Sequence, residues 1–379
     1  MQINSATLAV STQMLVHKRL RFVITIVGIA LCFFLAAAQI GLLVGWVNTN
    51  SAIIRHAGVD VWVMAHNTRT FDFGTPIPRH RVQQVSSVEG VTWAEGMFVI
   101  WVSWLHPEGK RITVEMIGLD SSNVGGPWEM VDGNLESTHF PDTVVVDELA
   151  KTALGINNVG DEAEMQGKQV FLGGFSRGVR TFTAAPFVFT SIDNALKYLG
   201  NYEDDDITYV LARIDPKSDS TQIRDRIAKE IPSVEVLTTE EFAERSVKYW
   251  MLETGFGITV IITASLGLLV GIVIMSQTLF SITQDHLGNY ATLLALGFHQ
   301  NTLRRIVLTQ SVILGGIGIV IGSIFFLLAC HATALSPIPL ETTPLVSFGL
   351  ILFSLACCIG GSWFSIRAIF KLDPVSVFH

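Results

Sequence analysis

The sequence predicts an α-helical membrane protein with four transmembrane helices and one large α/β domain outside the membrane. Three observations carry this reading. Of the 379 residues, 49% are hydrophobic and only 15% charged, against about a quarter charged in soluble domains. The apolar residues gather in four blocks that hold no Asp, Glu, Lys or Arg, and no His except His331 at the very end of the third. The acidic residues gather between the first two blocks, where residues 47–250 contain 18 basic and 29 acidic side chains. This composition excludes a purely cytosolic enzyme and a disordered chain.

Residues 1–21 form a short leading segment in which Lys18, Arg19 and Arg21 meet no acid. The blocks follow at 22–46, 255–280, 306–331 and 345–366. Each exceeds the roughly 20 residues that a helix needs to cross about 30 Å of hydrocarbon. The first could be a cleaved signal peptide, since basic residues precede an apolar run reaching Ala36, Ala37 and Ala38. The run continues through Ile40, Leu42, Leu43 and Val44 to Trp46, so it is read as an uncleaved anchor. Basic residues dominate 1–21, the 281–305 connector (Arg304 and Arg305 against Asp285) and the 367–379 tail (Arg367 and Lys371 against Asp373). Retention of Lys and Arg on the cytoplasmic side then puts both termini in the cytoplasm, with 47–254 and the 332–344 loop outside. Trp46, Trp250 and Trp363 stand near the block ends, where indoles favour the headgroup region.

Within 47–254, Gly58 to Met64 alternates like a strand and precedes a loop marked by Pro76 and Pro78. Arg79 to Val88 has helical spacing. Val91 to Leu105 and Arg111 to Leu119 flank His106-Pro-Glu-Gly-Lys110 as a long hairpin. Ile207 to Ile214, Ser218 to Ile231 and Val234 to Leu237 read as strand, helix and strand, a βαβ unit. Residues 123–205 are glycine-rich, with candidate strands at Thr143 to Val146, Gln169 to Leu172, Val179 to Phe182 and Phe187 to Thr190. The expected plan is an α/β part, 47–122 and 206–254, interrupted by a β-rich insertion at 123–205. Thr239 to Leu252 is helical in pattern and is expected to run straight into the second membrane helix as one rigid element.

Chemistry is sparse. No G-x-x-x-x-G-K-[ST] occurs, so no nucleotide-triphosphate cradle is expected in this chain. The blocks carry no ionisable residue at mid-depth, which disfavours a proton-driven mechanism. Gly174-Phe-Ser-Arg-Gly178 matches the nucleophile elbow of hydrolases, which needs a helix after the serine. Here Val179 to Thr183 alternates instead, so a hairpin turn is expected. His56, His66, His80, His106 and His139 lack metal-ligand spacing. All four cysteines, Cys32, Cys330, Cys357 and Cys358, fall within or beside the apolar blocks, leaving no disulfide framework in 47–254. No metal and no catalytic residue is assigned. Small residues recur at four-residue spacing: Ala37, Gly41 and Gly45; Gly267 and Gly271; Gly318 and Gly322. Such faces allow close helix approach in lipid, and the first set is the candidate dimer interface.

The connector between the second and third blocks reads Asn289-Tyr-Ala-Thr-Leu-Leu-Ala-Leu-Gly297, followed by Gln300 to Arg305. This stretch resembles the signature of the MacB/FtsX-type (type VII) ABC transporter permeases. It is most similar to the DevC-like subgroup, which Asp373-Pro-Val-Ser-Val-Phe378 also resembles at the terminus. Thr143 to Ala150 is similar to an external stretch of the same family. Two positions depart from the pattern: Asn289 stands where Glu is usual, and Leu294 where Lys or Arg is common.

The resemblance implies a MacB-like periplasmic domain with an inserted β-rich subdomain, in an inner-membrane homodimer bound to two copies of a separate ATPase subunit. The ATPase would bind ATP and Mg, this chain holding no cofactor, and would dock on Asn289, Tyr290, Leu293, Leu294, Leu296 and Gly297. It further implies mechanotransmission to a periplasmic adaptor (membrane fusion protein) and outer-membrane channel, exporting a lipid, glycolipid, peptide or drug. The alternative is an FtsX-like non-transporting protein that regulates or scaffolds an external partner. Membrane lipid is expected around the helices, and no nucleic acid.

Overall fold

The computed structural model describes residues 19–121, 124–183, 185–198, 205–285, 288, 292, 297 and 299–370. It divides into two units: an apolar helical one (1–45, 258–334 and 339–379) and a sheet-based one (46–257 with 335–338).

The helical unit is built on four helices at the four apolar blocks: α1 (Arg19–Arg55), α7 (Phe256–Asp285), α8 (Gln300–Ala332) and α9 (Pro344–Phe370), the intervening helices belonging to the other unit. Over the described residues, three spans are long and apolar enough to cross a membrane: Phe22–Arg55, Phe256–Ile274 and Gln300–Ala332. The fourth block is described as an apolar helix over the shorter span Pro344–Gly360. Ile29, Leu314 and Cys358 form one small buried cluster, and Phe33, Ala37, Ile319 and Phe326 belong to a second. Gly318 and Gly322 explain the closeness. A Cβ on Gly318 would lie 2.5 Å from the Ile29 side chain, and one on Gly322 would lie 2.7 Å from the Ala30 carbonyl oxygen. The small-residue face of α8 therefore sits on the α1 backbone, where van der Waals contact replaces the hydrophobic drive that lipid removes.

The sheet unit contains ten strands in one sheet: β1 (Val61–Met64), β3 (Val91–Leu105), β4 (Arg111–Leu119), β5 (Met130–Gly133), β6 (Thr143–Asp147), β7 (Glu162–Met165), β8 (Lys168–Ser176), β9 (Phe187–Ser191), β11 (Tyr209–Ile214) and β12 (Glu235–Thr238). Their order is β12-β1-β11-β3-β4-β9-β6-β8-β5, with β7 bridging β3 and β8. Short β2 (Ile77–Pro78) and β10 (Asp206–Ile207) pair separately. The hairpin of β3 and β4 runs in register from Met97 opposite Leu119 to Leu105 opposite Arg111. The βαβ unit is β11, α5 (Ser220–Glu230) and β12, with β1 lying antiparallel between the two strands. The strands of 123–205 join the same sheet, because β9 pairs with β4 over Glu115 to Leu119.

All four residues of β1 are buried because both sheet faces are covered. The twofold alternation of side chains sends Val61 and Val63 into one core and Trp62 and Met64 into the other. The second core also receives Ile53 and Ile54 from the end of α1, and Phe242 and Ala243 from α6 (Thr239–Lys248). The remaining helices are α2 (Arg81–Ser86), α3 (Lys151–Leu154) and α4 (Ile192–Lys197).

Two expectations fail. Val179 to Phe182 forms no strand. The Val179 N–H donates to Asp147 Oδ2 at 2.8 Å, and the Thr183 N–H donates to Thr181 Oγ1 at 3.2 Å. Side-chain acceptors thus take backbone donors that a sheet ladder would use. The helix expected to run unbroken from Thr239 through the second block is interrupted. After α6 come a π-helical turn (Tyr249–Glu253) and a bend at Thr254 and Gly255, before α7 begins at Phe256.

Candidate functional site

The sheet unit is entered by the end of α1 and left through α6, and both elements pack on the same core face. On α1, no Gly or Pro interrupts Val47 to Arg55, and the helix continues through them, with Ile54 completely buried. Burying side chains of this size contributes about 1.5–3 kcal/mol each. Helix α6 starts at a reciprocal capping box between Thr238 and Glu241, which satisfies two orphan N–H groups.

Two polar links tie α1 to α6. Arg55 donates from Nε and Nη2 to the two carboxylate oxygens of Glu240 at 3.1 and 2.7 Å. The pair is exposed, so its geometry orients more than it stabilises. Deeper, Ser246 Oγ donates to Asn50 Oδ1 at 3.3 Å, with both residues buried.

From Ser246 the hydrogen bonds continue into the sheet core. Ser246 Oγ lies 2.8 Å from Thr70 Oγ1, and Thr70 Oγ1 donates to Asp72 Oδ2 at 2.9 Å. The indole N–H of Trp250, in the π-helical turn, points at this junction, 3.0 Å from Asp72 Oδ2 and 3.1 Å from Thr70 Oγ1. Trp101 donates its indole N–H to the Asp72 carbonyl at 2.8 Å. Rings close around the junction: Trp250 contacts Phe182, Phe73 and Tyr249, and Trp46 contacts Phe182 and Phe256. Behind Asp72 lies Glu115, fully buried on β4. Burial, then the Asp72 charge, holds its carboxyl well above the ordinary range. Burial also raises Asp72, against the lowering effect of the Trp250 and Thr70 hydrogen bonds.

Immediately beyond Trp250 the chain turns. Thr254 Oγ1 donates back to the Trp250 carbonyl at 2.6 Å, and Gly255 takes φ +76°. Beyond its chain neighbours, no atom lies within 4 Å of where its Cβ would be, so conformation and not space makes glycine fitting there. On this core face α1 arrives as continuous helix, whereas α6 is followed by the π turn and the bend at Gly255.

Of the coupling residues expected from the sequence, Asn289, Tyr290, Leu293, Leu294 and Leu296 lie outside the described residues, and Gly297 occupies a turn at φ +88°. Ala37, Gly41 and Gly45 are buried within the chain. Ala37 joins the Phe33–Phe326 cluster, Gly41 faces Phe326 and the Glu341 carbonyl, and Gly45 faces the Pro339 carbonyl. Ser176 ends β8 fully buried, donating to Asp147 Oδ2 at 3.2 Å, with neither a helix nor a hairpin strand after it. His56 stacks on Trp128 at 4.4 Å, and His66 lies 3.0 Å from the Pro232 carbonyl. Sequence reading missed Thr70, Asp72, Glu115 and Ser246, although Glu115 carried a signal. It falls in the strand phase of Ile117 and Leu119, where every other consideration asks for an apolar side chain.

Two family models match the sequence: the MacB-like periplasmic core domain over residues 22–230 and the FtsX-like permease C-terminal over residues 261–374. The chain belongs to the MacB/FtsX-type permease family. The periplasmic region of MacB from Actinobacillus actinomycetemcomitans is similar to it at 12% identity, covering 50% of this chain and 94% of that one, with a TM-score of 0.39. The extracellular domain of the ABC-type transporter YknZ from Gram-positive bacteria is similar at 12% identity over 47% of this chain and 98% of that one, with a TM-score of 0.36. Family membership rests on the sequence matches. No curated protein matches the chain. MacB/FtsX-type permeases are inner-membrane proteins with a periplasmic domain that work with ATPase partners and often homodimerise. In this member, the α6 arm, the π turn and Gly255 fall in residues 231–260, between the two matched segments.

Proposed function

We propose that this chain is the non-catalytic permease subunit of an ABC export system, and that it relays force from a separate ATPase to its periplasmic domain. Four helices cross the inner membrane, with both termini cytoplasmic and residues 47–254 periplasmic. Two copies pair with two ATPase subunits, which bind ATP and Mg and dock on the connector at Asn289, Tyr290, Leu293, Leu294, Leu296 and Gly297. The subgroup is DevC-like, and the helix face of Ala37, Gly41 and Gly45 is the candidate dimer interface. A periplasmic adaptor and an outer-membrane channel complete the export path for a lipid, glycolipid, peptide or drug.

The observation that carries this reading is the contrast between the two connections to the domain. A push along α1 reaches Ile53 and Ile54 through unbroken helix. Movement along α7 arrives at a bend, where Gly255 and the π turn absorb a change of angle while Trp250 holds the arm to the core. A rigid strut and a hinged one on the same core face convert relative helix movement into tilt. The charge-free blocks fit a relay better than a polar conduit.

Co-purification with the cognate ATPase tests the proposal. The wild-type chain retains the ATPase, and the double variant Tyr290→Glu, Leu293→Glu loses it. Retention by the double variant contradicts the docking assignment. Accumulation of a specific compound in cells lacking the chain supports export, whereas deregulation of an external enzyme supports the non-transporting alternative.

A further inference from the structure

On the core face that receives both helices, Glu115 and Asp72 are neighbours, and the charge acting on Glu115 is that of Asp72 and not a cation. Glu115 is paired across the hairpin with Trp101 and is inaccessible to water. No N–H or O–H donor among the described residues reaches either of its oxygens. Asp72 is the charge that acts on it. The third titratable group of the cluster is the Tyr209 phenol, which donates to the Phe71 carbonyl at 2.7 Å. The other side chains here, Thr70 beside the Phe71–Phe73 turn, Trp101 of β3, Ser246 of α6 and Trp250 of the π turn, carry no charge.

A buried carboxylate without donors is costly by several kcal/mol, and two adjacent ones more so. The missing donor is a proton. A protonated carboxyl supplies one O–H, and the neighbouring Asp72 carboxylate, whose Oδ2 also takes Trp250 and Thr70, is the acceptor within hydrogen-bond reach of Glu115. Paired carboxyls in one site share a proton for this reason.

We propose that Glu115 and Asp72 hold one proton between them, and that this proton latches the Trp250 turn to the domain. While it is bound, Asp72 remains a single charge satisfied by Trp250, Thr70 and Glu115, and the arm is fixed. When it leaves, two neighbouring buried negative charges draw water into the cluster and Asp72 releases the indole. The latch therefore closes at low pH and opens as pH rises. Its consequence for force transmission rests on the relay reading above, but the proton itself does not.

The full chain in lipid nanodiscs, without ATPase, tests both parts. Infrared spectroscopy of the wild type shows a protonated-carboxyl band that persists above the ordinary carboxyl range and disappears on further alkalinisation, and Glu115→Gln lacks that band. Hydrogen exchange at residues 249–255, corrected for intrinsic rates, speeds up at least tenfold over the same pH interval in the wild type and not in Glu115→Gln. Absence of the band from the wild type, or its persistence in Glu115→Gln, overturns the shared proton. A titrating band with unchanged exchange at 249–255 overturns the latch. If Glu115→Gln does not fold, Asp72→Asn replaces it. Removing the neighbouring charge moves the band's midpoint to lower pH, and an unmoved midpoint overturns the pairing. Since no ATPase is present, failure here leaves the relay proposal standing, and failure of ATPase docking leaves the latch standing.

Discussion

Replacing Gly255 isolates the joint from everything around it. The residue sits at φ +76° and an added Cβ meets nothing within 4 Å beyond its chain neighbours, so the backbone conformation is what a substitution penalises. An L-residue in the left-handed region costs roughly 1–2 kcal/mol, and Asn tolerates it better than others. A β-branched residue there is a clear outlier. A penalty of that size lowers the population of the bent geometry by a factor of about 5–30. Gly255→Val is therefore expected to slow ATP turnover in the assembled complex by that factor, with Gly255→Ala next and Gly255→Asn nearest the wild type. Thermal unfolding of the domain and retention of the ATPase should be unchanged in all three. Wild-type turnover in Gly255→Val, or no ordering between Asn and Val, would refute the reasoning.

The pH dependence of stability follows from the buried pair. The carboxyl of Glu115 is held well above its usual range, so between the unfolded value of about 4.3 and the folded one the native chain binds the extra proton. Its contribution is complete below the unfolded value and declines by about 1.4 kcal/mol per pH unit as pH rises toward the folded one. Raised Asp72 acts in the same direction. Urea unfolding at several pH values should show this decline in the wild type and a shallower one in Glu115→Gln; parallel curves would contradict it. Ser176→Ala should leave cellular phenotype intact and lower stability by about 0.5–1.5 kcal/mol, the worth of one hydrogen bond to Asp147. A complementation assay with a denaturation curve checks both halves. Gly322→Leu should lower the melting temperature in detergent, because its side chain meets the Ala30 carbonyl and Phe33, and overpacking costs about 1–3 kcal/mol.

The sheet strands and apolar helices were legible because their patterns are local. The β3–β4 hairpin was read to its end residues, and β1 alternates between two cores as its sequence alternates. What local pattern could not give is where helices continue or stop. Val47 to Arg55 carries polar residues that end the apolar block, yet the helix goes on because Ile53 and Ile54 are buried by distant strands. Thr239 to Leu252 is periodic enough for one helix, but the indole of Trp250 is held by Asp72, 178 residues away in sequence, and Gly255 takes a backbone conformation that no helix allows. Val179 to Phe182 alternates like a strand while Asp147 takes the Val179 N–H. The misses trace mainly to contacts between residues far apart in sequence, joined by local backbone conformation at Gly255. The site was hidden for the same reason, apart from the acidic Glu115 in an apolar strand phase.

Spin-label distances test the relay most directly. In an assembled complex with its four native cysteines replaced by serine, one label pair on exposed Leu31 and Asn48 reads α1 alone, about 25 Å along a straight helix. A second pair on exposed Glu244 and Leu266 spans the bend between α6 and α7. On ATP binding, the first distance should stay constant while the second shifts to a new value. Two unchanged distances, or a change within α1 with none across the bend, would contradict a rigid strut working beside a hinged one.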